Sequence, residues 1–136
     1  PYAVFIVLKR KNENKPWQEW KKEERDWIDS RQLSLEDMED EIKYHQFLQF
    51  IFYKQWNDIK KYAEKHHVKI LGDIPFYVGL DSADVWQYKN QFLLDENGYP
   101  SFVAGVPPDY FSETGQRWGN PIYDWNIMKK IVMILV

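Results

Sequence analysis

The sequence predicts an α/β fold, and three observations carry that prediction. An apolar stripe with helical period runs from Leu35 to Ala63. A short, mostly apolar run, Val68–Gly72, follows it directly and reads as a buried strand. Beyond it Gly and Pro punctuate the chain, and short strand-and-turn patterns replace helix. Helix followed by buried strand is the grammar of α/β proteins.

Each element has its own justification. Tyr2 to about Lys11 reads as the end of an amphipathic helix that has lost its beginning. Pro16 suits a first helical position and opens a short helix through Trp17, Trp20 and Trp27. Ser34 and Asp37 have capping-box spacing, and Glu36, Asp37, Glu39, Asp40 and Glu41 crowd the positive end of the helix that follows. Apolar or semi-polar residues then recur at 35, 38, 42, 45, 48, 52, 56, 59 and 63, a mean step of about 3.5 residues. Lys60, Lys61 and Lys65 sit near the negative end. The helix runs about thirty residues, which leaves room for a break inside it. The strand Val68–Gly72 ends at Asp73, because Pro75 cannot donate to a ladder. Asp81-Ser82-Ala83-Asp84 is a second helix start, with Asp81 at the cap. Gln91–Leu94 and Tyr99–Val103 flank Asp95-Glu96-Asn97-Gly98 as a hairpin. Ala104–Pro121 reads as loop. The chain thus divides into a helical segment (1–67), a region of strand, hairpin and loop (68–126) and an apolar tail (127–136).

Composition narrows the function classes. With 136 residues the chain is one domain or part of one, and any (β/α)₈ barrel it belonged to, at roughly 250 residues, is cut short. The net charge of −3 argues against a nucleic-acid surface, which needs a basic excess. Cysteine is absent, which excludes disulfides, thiolate metal sites and a cysteine nucleophile. No apolar run approaches the ~20 residues of a membrane span, and the start is no signal peptide. The composition fits a cytoplasmic protein, and nothing in it calls for a cofactor. His66 and His67 point different ways on a helix and have no His partner four residues off, so no metal site is expected.

The chemistry-bearing residues lie in the second half. Asp73 stands at the carboxyl end of the expected strand, the end that faces the ligand in α/β folds. It could equally cap a loop or pair with a buried Arg. Asp81 and Asp84 fit helix capping better than an acid/base pair. The stretch Gly105–Pro121 is expected to be a structureless loop, and loops beyond about 12–15 residues are usually lids or binding loops. It carries Tyr110, Phe111 and Trp118 beside Asp109, Glu113, Gln116, Arg117 and Asn120. Aromatic faces cover the C–H faces of a pyranose, while amides and carboxylates bracket its hydroxyls. The same aromatics could instead pack on the core.

At this point the wording resembles a known family. Lys69-Ile70-Leu71-Gly72-Asp73-Ile74-Pro75-Phe76-Tyr77-Val78, Asp81-Ser82-Ala83-Asp84-Val85-Trp86 and the run from Val103 to Trp125 are similar to amylomaltases, the 4-α-glucanotransferases. Phe47–Trp56 and Lys15-Pro16-Trp17 resemble the same family, so the likeness covers about residues 1–130. It implies a partial (β/α)₈ barrel of the α-amylase-like type with a helical insertion. It also implies transfer of α-1,4-glucan segments between maltooligosaccharides with retention, by a carboxylate nucleophile and a second carboxylate acting as acid and base. Asp73 then matches a cleft aspartate, Pro107–Thr114 (with Asp109, Tyr110 and Phe111) a mobile loop over the cleft, and Gln116 and Trp118 residues lining sugar subsites.

Two departures qualify this. The family's nucleophile lies in an Arg-Ile-Asp-His-type motif downstream of Tyr123-Asp124-Trp125, with the other two catalytic carboxylates further on, and this chain has none of them. The family continues past Lys130 with a Gly-Tyr-x-Trp-Trp-like helix, whereas this chain ends Ile131-Val132-Met133-Ile134-Leu135-Val136. The expectation is an internal fragment without catalytic residues, inactive alone. Two alternatives stay open: a non-catalytic α-glucan-binding piece, and the functionless product of an interrupted gene.

Overall fold

The structure is a computed structural model that describes residues 1–73 and 75–134. Its core forms where aromatic rings from distant stretches converge on helix α1 (Tyr2–Lys11), which buries Ala3, Val4, Phe5, Val7 and Leu8. Phe5 meets Trp20 and Trp86, with ring centroids at 5.4 and 5.7 Å. Trp27 stacks on Trp86 at 6.1 Å with planes 4° apart. Large rigid rings bury much area at little entropic cost, so a few of them suffice for a small core.

Polar contacts fix these rings. Asp81 pairs with Lys9 and accepts from the Trp17 backbone N–H at 3.3 Å. The Trp17 indole donates to the Leu80 carbonyl at 2.8 Å. Glu24, only 2 % exposed, meets Lys11 at 2.8 Å and accepts from the Asn12 amide at 2.9 Å. Burial acts to raise the Glu24 pKa. Hydrogen bonds from Lys11 and Asn12 and the charges of Lys11 and Lys21 outweigh it, so the group is held below its ordinary 4.5.

The tryptophan segment is not one helix. Pro16 lies just before a 3₁₀ turn, Trp17–Glu19, followed by two short helices, α2 (Lys22–Arg25) and α3 (Trp27–Ser30). Each indole answers to its own partner. Trp17 bonds to Leu80, Trp20 donates to the Lys15 carbonyl at 3.0 Å, and Trp27 stacks on Trp86. These tertiary demands override a continuous helix.

Helix α4 (Glu39–Lys65) is unbroken over 27 residues. It starts later than the capping pattern indicates. A 3₁₀ turn at Glu36–Met38 precedes it, and the Ser34 hydroxyl accepts from the Glu36 N–H at 3.4 Å instead of capping the helix. Of its apolar stripe, Ile42 and His45 are buried, while Leu48, Phe52, Trp56 and Ile59 are exposed, as are Phe47, Phe50, Tyr53 and Tyr62 beside it.

Val68–Gly72 forms no strand, and Leu71 is 99 % exposed. A strand exists through ladder bonds to a neighbour, and none of the described residues supplies one here. Helix α5 (Ala83–Gln87) is capped by Ser82, whose hydroxyl accepts from the Val85 N–H at 3.3 Å; Asp81 is engaged by Lys9 instead.

The hairpin forms in reduced shape. Leu94 bridges Pro100, and Ser101 donates to the Leu93 carbonyl at 2.9 Å. Its turn is organised by the Asp95 carboxylate, which accepts from the Asn97 and Tyr99 N–H groups, both at 2.9 Å. Gly98 takes φ +86°, and a Cβ there would lie 2.2 Å from the Trp17 ring. The other edge of this segment joins the chain near Tyr123, through a Phe92–Tyr123 bridge and a 2.9 Å bond from Leu93 to the Ile122 carbonyl.

Half of the expected loop, Ala104–Pro121, is sheet. Strands β1 (Val103–Val106) and β2 (Gln116–Pro121) pair antiparallel, which leaves residues 107–115 as loop. Glycines and prolines masked this strand pair in the sequence. Pairing jumps from Gly105↔Arg117 to Val103↔Pro121, so β2 carries a bulge, with Gly119 inside it at φ +81°. Helix α6 (Trp125–Ile134) starts at Asp124, whose carboxylate accepts from the Asn126 and Ile127 N–H groups at 2.9 and 3.2 Å. It spans the 126/127 boundary and takes in Ile131–Ile134, whereas Leu135 and Val136 lie outside the described residues. The fold is thus mixed helix and strand, with one two-stranded sheet among the described residues. Among them, no helix is long and apolar enough to cross a membrane.

Candidate functional site

Strand β2 positions the central pair. The Trp118 indole N–H donates to Gln116 Oε1 at 3.0 Å, which ties the amide to the N–H edge of the ring. Trp118 is 49 % exposed, so one indole edge is fixed while much of the ring stays open to a ligand. Tyr77 approaches it at 6.2 Å with planes 62° apart, and Tyr77 stacks on Tyr123 at 6.4 Å and 13°. Tyr123 reaches Phe92 at 4.9 Å and Trp125 at 5.6 Å. A continuous aromatic band therefore runs from the buried Phe92 to the open Trp118.

The 107–115 loop forms a second feature. Asp109 Oδ1 accepts from the Phe111 and Ser112 N–H groups, both at 2.9 Å, and the Asp109 N–H donates to the Ser112 carbonyl at 2.9 Å. The Ser112 hydroxyl donates to the Gly115 carbonyl at 2.8 Å. These bonds lock the tip and hold Tyr110 and Phe111 outward, 97 % and 87 % exposed, with rings perpendicular at 5.7 Å. They also occupy one carboxylate oxygen of Asp109 with backbone.

Of the residues singled out from sequence, the structure joins Gln116 to Trp118, and Asp109 to the Tyr110–Phe111 tip. Tyr110 and Phe111 pair with each other and not with the Trp118 band. Asp73 stands apart. It is exposed, lies in no strand, and makes no hydrogen bond or ion pair among the described residues. Tyr77 and Tyr123 belong to the band and were not singled out, whereas Asn120, named with the loop residues, donates its side-chain amide to the Val78 carbonyl. Tyr77 sits beside Asp73 in sequence, but nothing in its spacing reveals that it meets Trp118. No group of three or more His, Cys, Asp or Glu among the described residues is placed to hold a metal ion. An open indole beside a fixed amide, with phenols alongside, can stack on an apolar sugar face and bond its hydroxyls.

Comparison with known proteins identifies the family. The family model described as 4-alpha-glucanotransferase matches residues 1–131. The 4-alpha-glucanotransferase of Synechocystis sp. is 46 % identical over 131 residues, 94 % of this chain and 26 % of the relative. That of Thermus thermophilus is 44 % identical over 134 residues, 95 % of this chain and 26 % of the relative. An amylomaltase from Streptococcus agalactiae, solved in complex with acarbose, superposes with a TM-score of 0.82 at 40 % identity, covering 95 % of this chain and 26 % of the other. The chain spans about a quarter of the length of these relatives. On these matches, the chain belongs to the 4-alpha-glucanotransferase family.

Proposed function

We propose that this chain supplies part of the glucan-binding surface of a cytoplasmic 4-α-glucanotransferase built on a (β/α)₈ barrel. The whole enzyme moves α-1,4-glucan segments between maltooligosaccharides with retention. In this reading Gln116 and Trp118 contact the sugar near the cleavage point. Asp109, Tyr110 and Phe111 form a lid that excludes water, which favours transfer over hydrolysis. Asp73 orients sugar hydroxyls in the cleft. The catalytic carboxylates lie in sequence that this chain does not contain, so the chain alone binds without turning over. The observation that carries the reading is the half-open Trp118 indole held by Gln116 and flanked by Tyr77.

Calorimetric titration of the chain with maltoheptaose, against cellohexaose as the β-1,4-linked control, tests it. The expected result is binding of maltoheptaose and none of cellohexaose. Equal binding of the two, or none of either, overturns the reading. Incubation with maltotriose should yield no glucose and no longer maltodextrins, because a glycosyl-enzyme needs a carboxylate nucleophile to form. Sustained turnover would locate catalytic groups in this chain after all.

A further inference from the structure

Residues 75–79, which carry Tyr77 of the aromatic band, lie outside any helix or strand. Among the described residues they make a single hydrogen bond, from the Asn120 side-chain amide to the Val78 carbonyl at 3.0 Å. Asn120 is half-buried and follows Gly119, whose left-handed backbone in the bulge re-aims the strand there. The bond ties β2 to the stretch that carries Tyr77. Tyr77 in turn packs edge-on against Trp118 at 6.2 Å. Gln116 fixes only the N–H edge of the indole. Ring contacts alone are weak and tolerate sliding.

We infer that Asn120 is a positioning residue: its amide clamps residues 75–79 to β2, so that Tyr77 sets the tilt of the Trp118 indole before any ligand arrives. That Trp118 contacts a glucan rests on the function proposed above; the clamp itself rests only on these contacts. Preorganisation is what the clamp contributes. A ring already held in its binding pose loses less freedom on binding than one that must be ordered. Asn suits the task because its amide offers a donor that Asp lacks at nearly identical shape.

The test uses the full 136-residue chain labelled with 5-fluorotryptophan, whose seven Trp give seven fluorine resonances. Trp118→Phe identifies the Trp118 signal, and Trp86→Phe and Trp27→Phe identify two core references. In Asn120→Ala and Asn120→Asp, the Trp118 resonance is expected to move and broaden while the Trp86 and Trp27 resonances stay. Maltoheptaose, titrated against the Trp118 signal, should bind about fivefold more weakly, the scale of one net hydrogen bond. An unmoved Trp118 resonance in both variants overturns the inference, and so does a moved resonance with unchanged affinity. Loss of the core resonances in both variants also overturns it and makes Asn120 a residue of the fold. If the variants move Trp118 but the native Trp118 signal ignores maltoheptaose, the clamp stands and the glucan reading fails.

Discussion

At the scale of single residues, Glu24 shows how a buried charge is made tolerable. Its carboxylate is taken from water but receives Lys11 and the Asn12 amide, and the balance holds its pKa below 4.5. A depressed carboxyl pKa contributes stability that is fully present above the ordinary value and is lost as pH falls through the folded one. Thermal melts from pH 7 to pH 3 should therefore show the native chain losing stability below 4.5 faster than Glu24→Gln. At pH 7 the variant should be less stable by about 1–3 kcal/mol, the worth of hydrogen bonds to a charged group. Parallel pH curves would show that Glu24 contributes nothing through its charge. Gly119 gives a cleaner case. A Cβ there meets nothing within 4 Å, so Gly119→Ala pays only for its φ of +81°. The expected loss is about 1–2 kcal/mol in a denaturant melt, and an unchanged midpoint would mean that the bulge relaxes. The Glu24 pair could not be read from the sequence, because it joins two segments whose packing no local pattern encodes. Gln116 and Trp118 were named from the sequence as candidates, but their contact on one strand was not legible there, because the stretch reads as loop.

At the scale of elements, α4 separates what periodicity tells from what it leaves open. The helical repeat from Leu35 to Ala63 correctly indicates a long helix, but a repeat says nothing about what covers its apolar side. Ile42 and His45 are buried, whereas the aromatics from Phe47 to Tyr62 face outward. Amide exchange should follow this division. Residues of α1 should exchange at least about tenfold more slowly than residues 50–65 of α4, a difference of about 1.4 kcal/mol in opening free energy. Equal protection along both helices would mean that α4 is covered in solution. The Val68–Gly72 run makes the complementary point. Its composition suits a strand, yet strand formation depends on a neighbour to pair with. In Gly105–Pro121 the opposite holds, because β1 and β2 pair across a tip locked by Asp109 although glycine and proline suggest a loop.

At the scale of the whole molecule, a tryptophan-centred core stands beside a wide exposed apolar surface on α4. Surfaces of that kind drive association. Sedimentation should show the chain self-associating as its concentration rises, and Phe50→Lys with Tyr62→Lys should reduce this without lowering the melting temperature. A monodisperse monomer at all concentrations would contradict that reading of α4. Family membership was legible in the wording of residues 69–125, whereas the described residues form one antiparallel two-stranded sheet, where a parallel strand had been expected at Val68–Gly72. Whether the Trp118 face receives an α-glucan, as proposed, is read directly by tryptophan fluorescence during maltoheptaose titration of the native chain and of Trp118→Ala. A saturable change is expected in the native chain, with binding weakened by about 1–3 kcal/mol in the variant, the scale of uncovering one aromatic face. Equal affinity in the two chains, with a lower melting temperature in the variant, would make Trp118 a packing residue and place the glucan elsewhere.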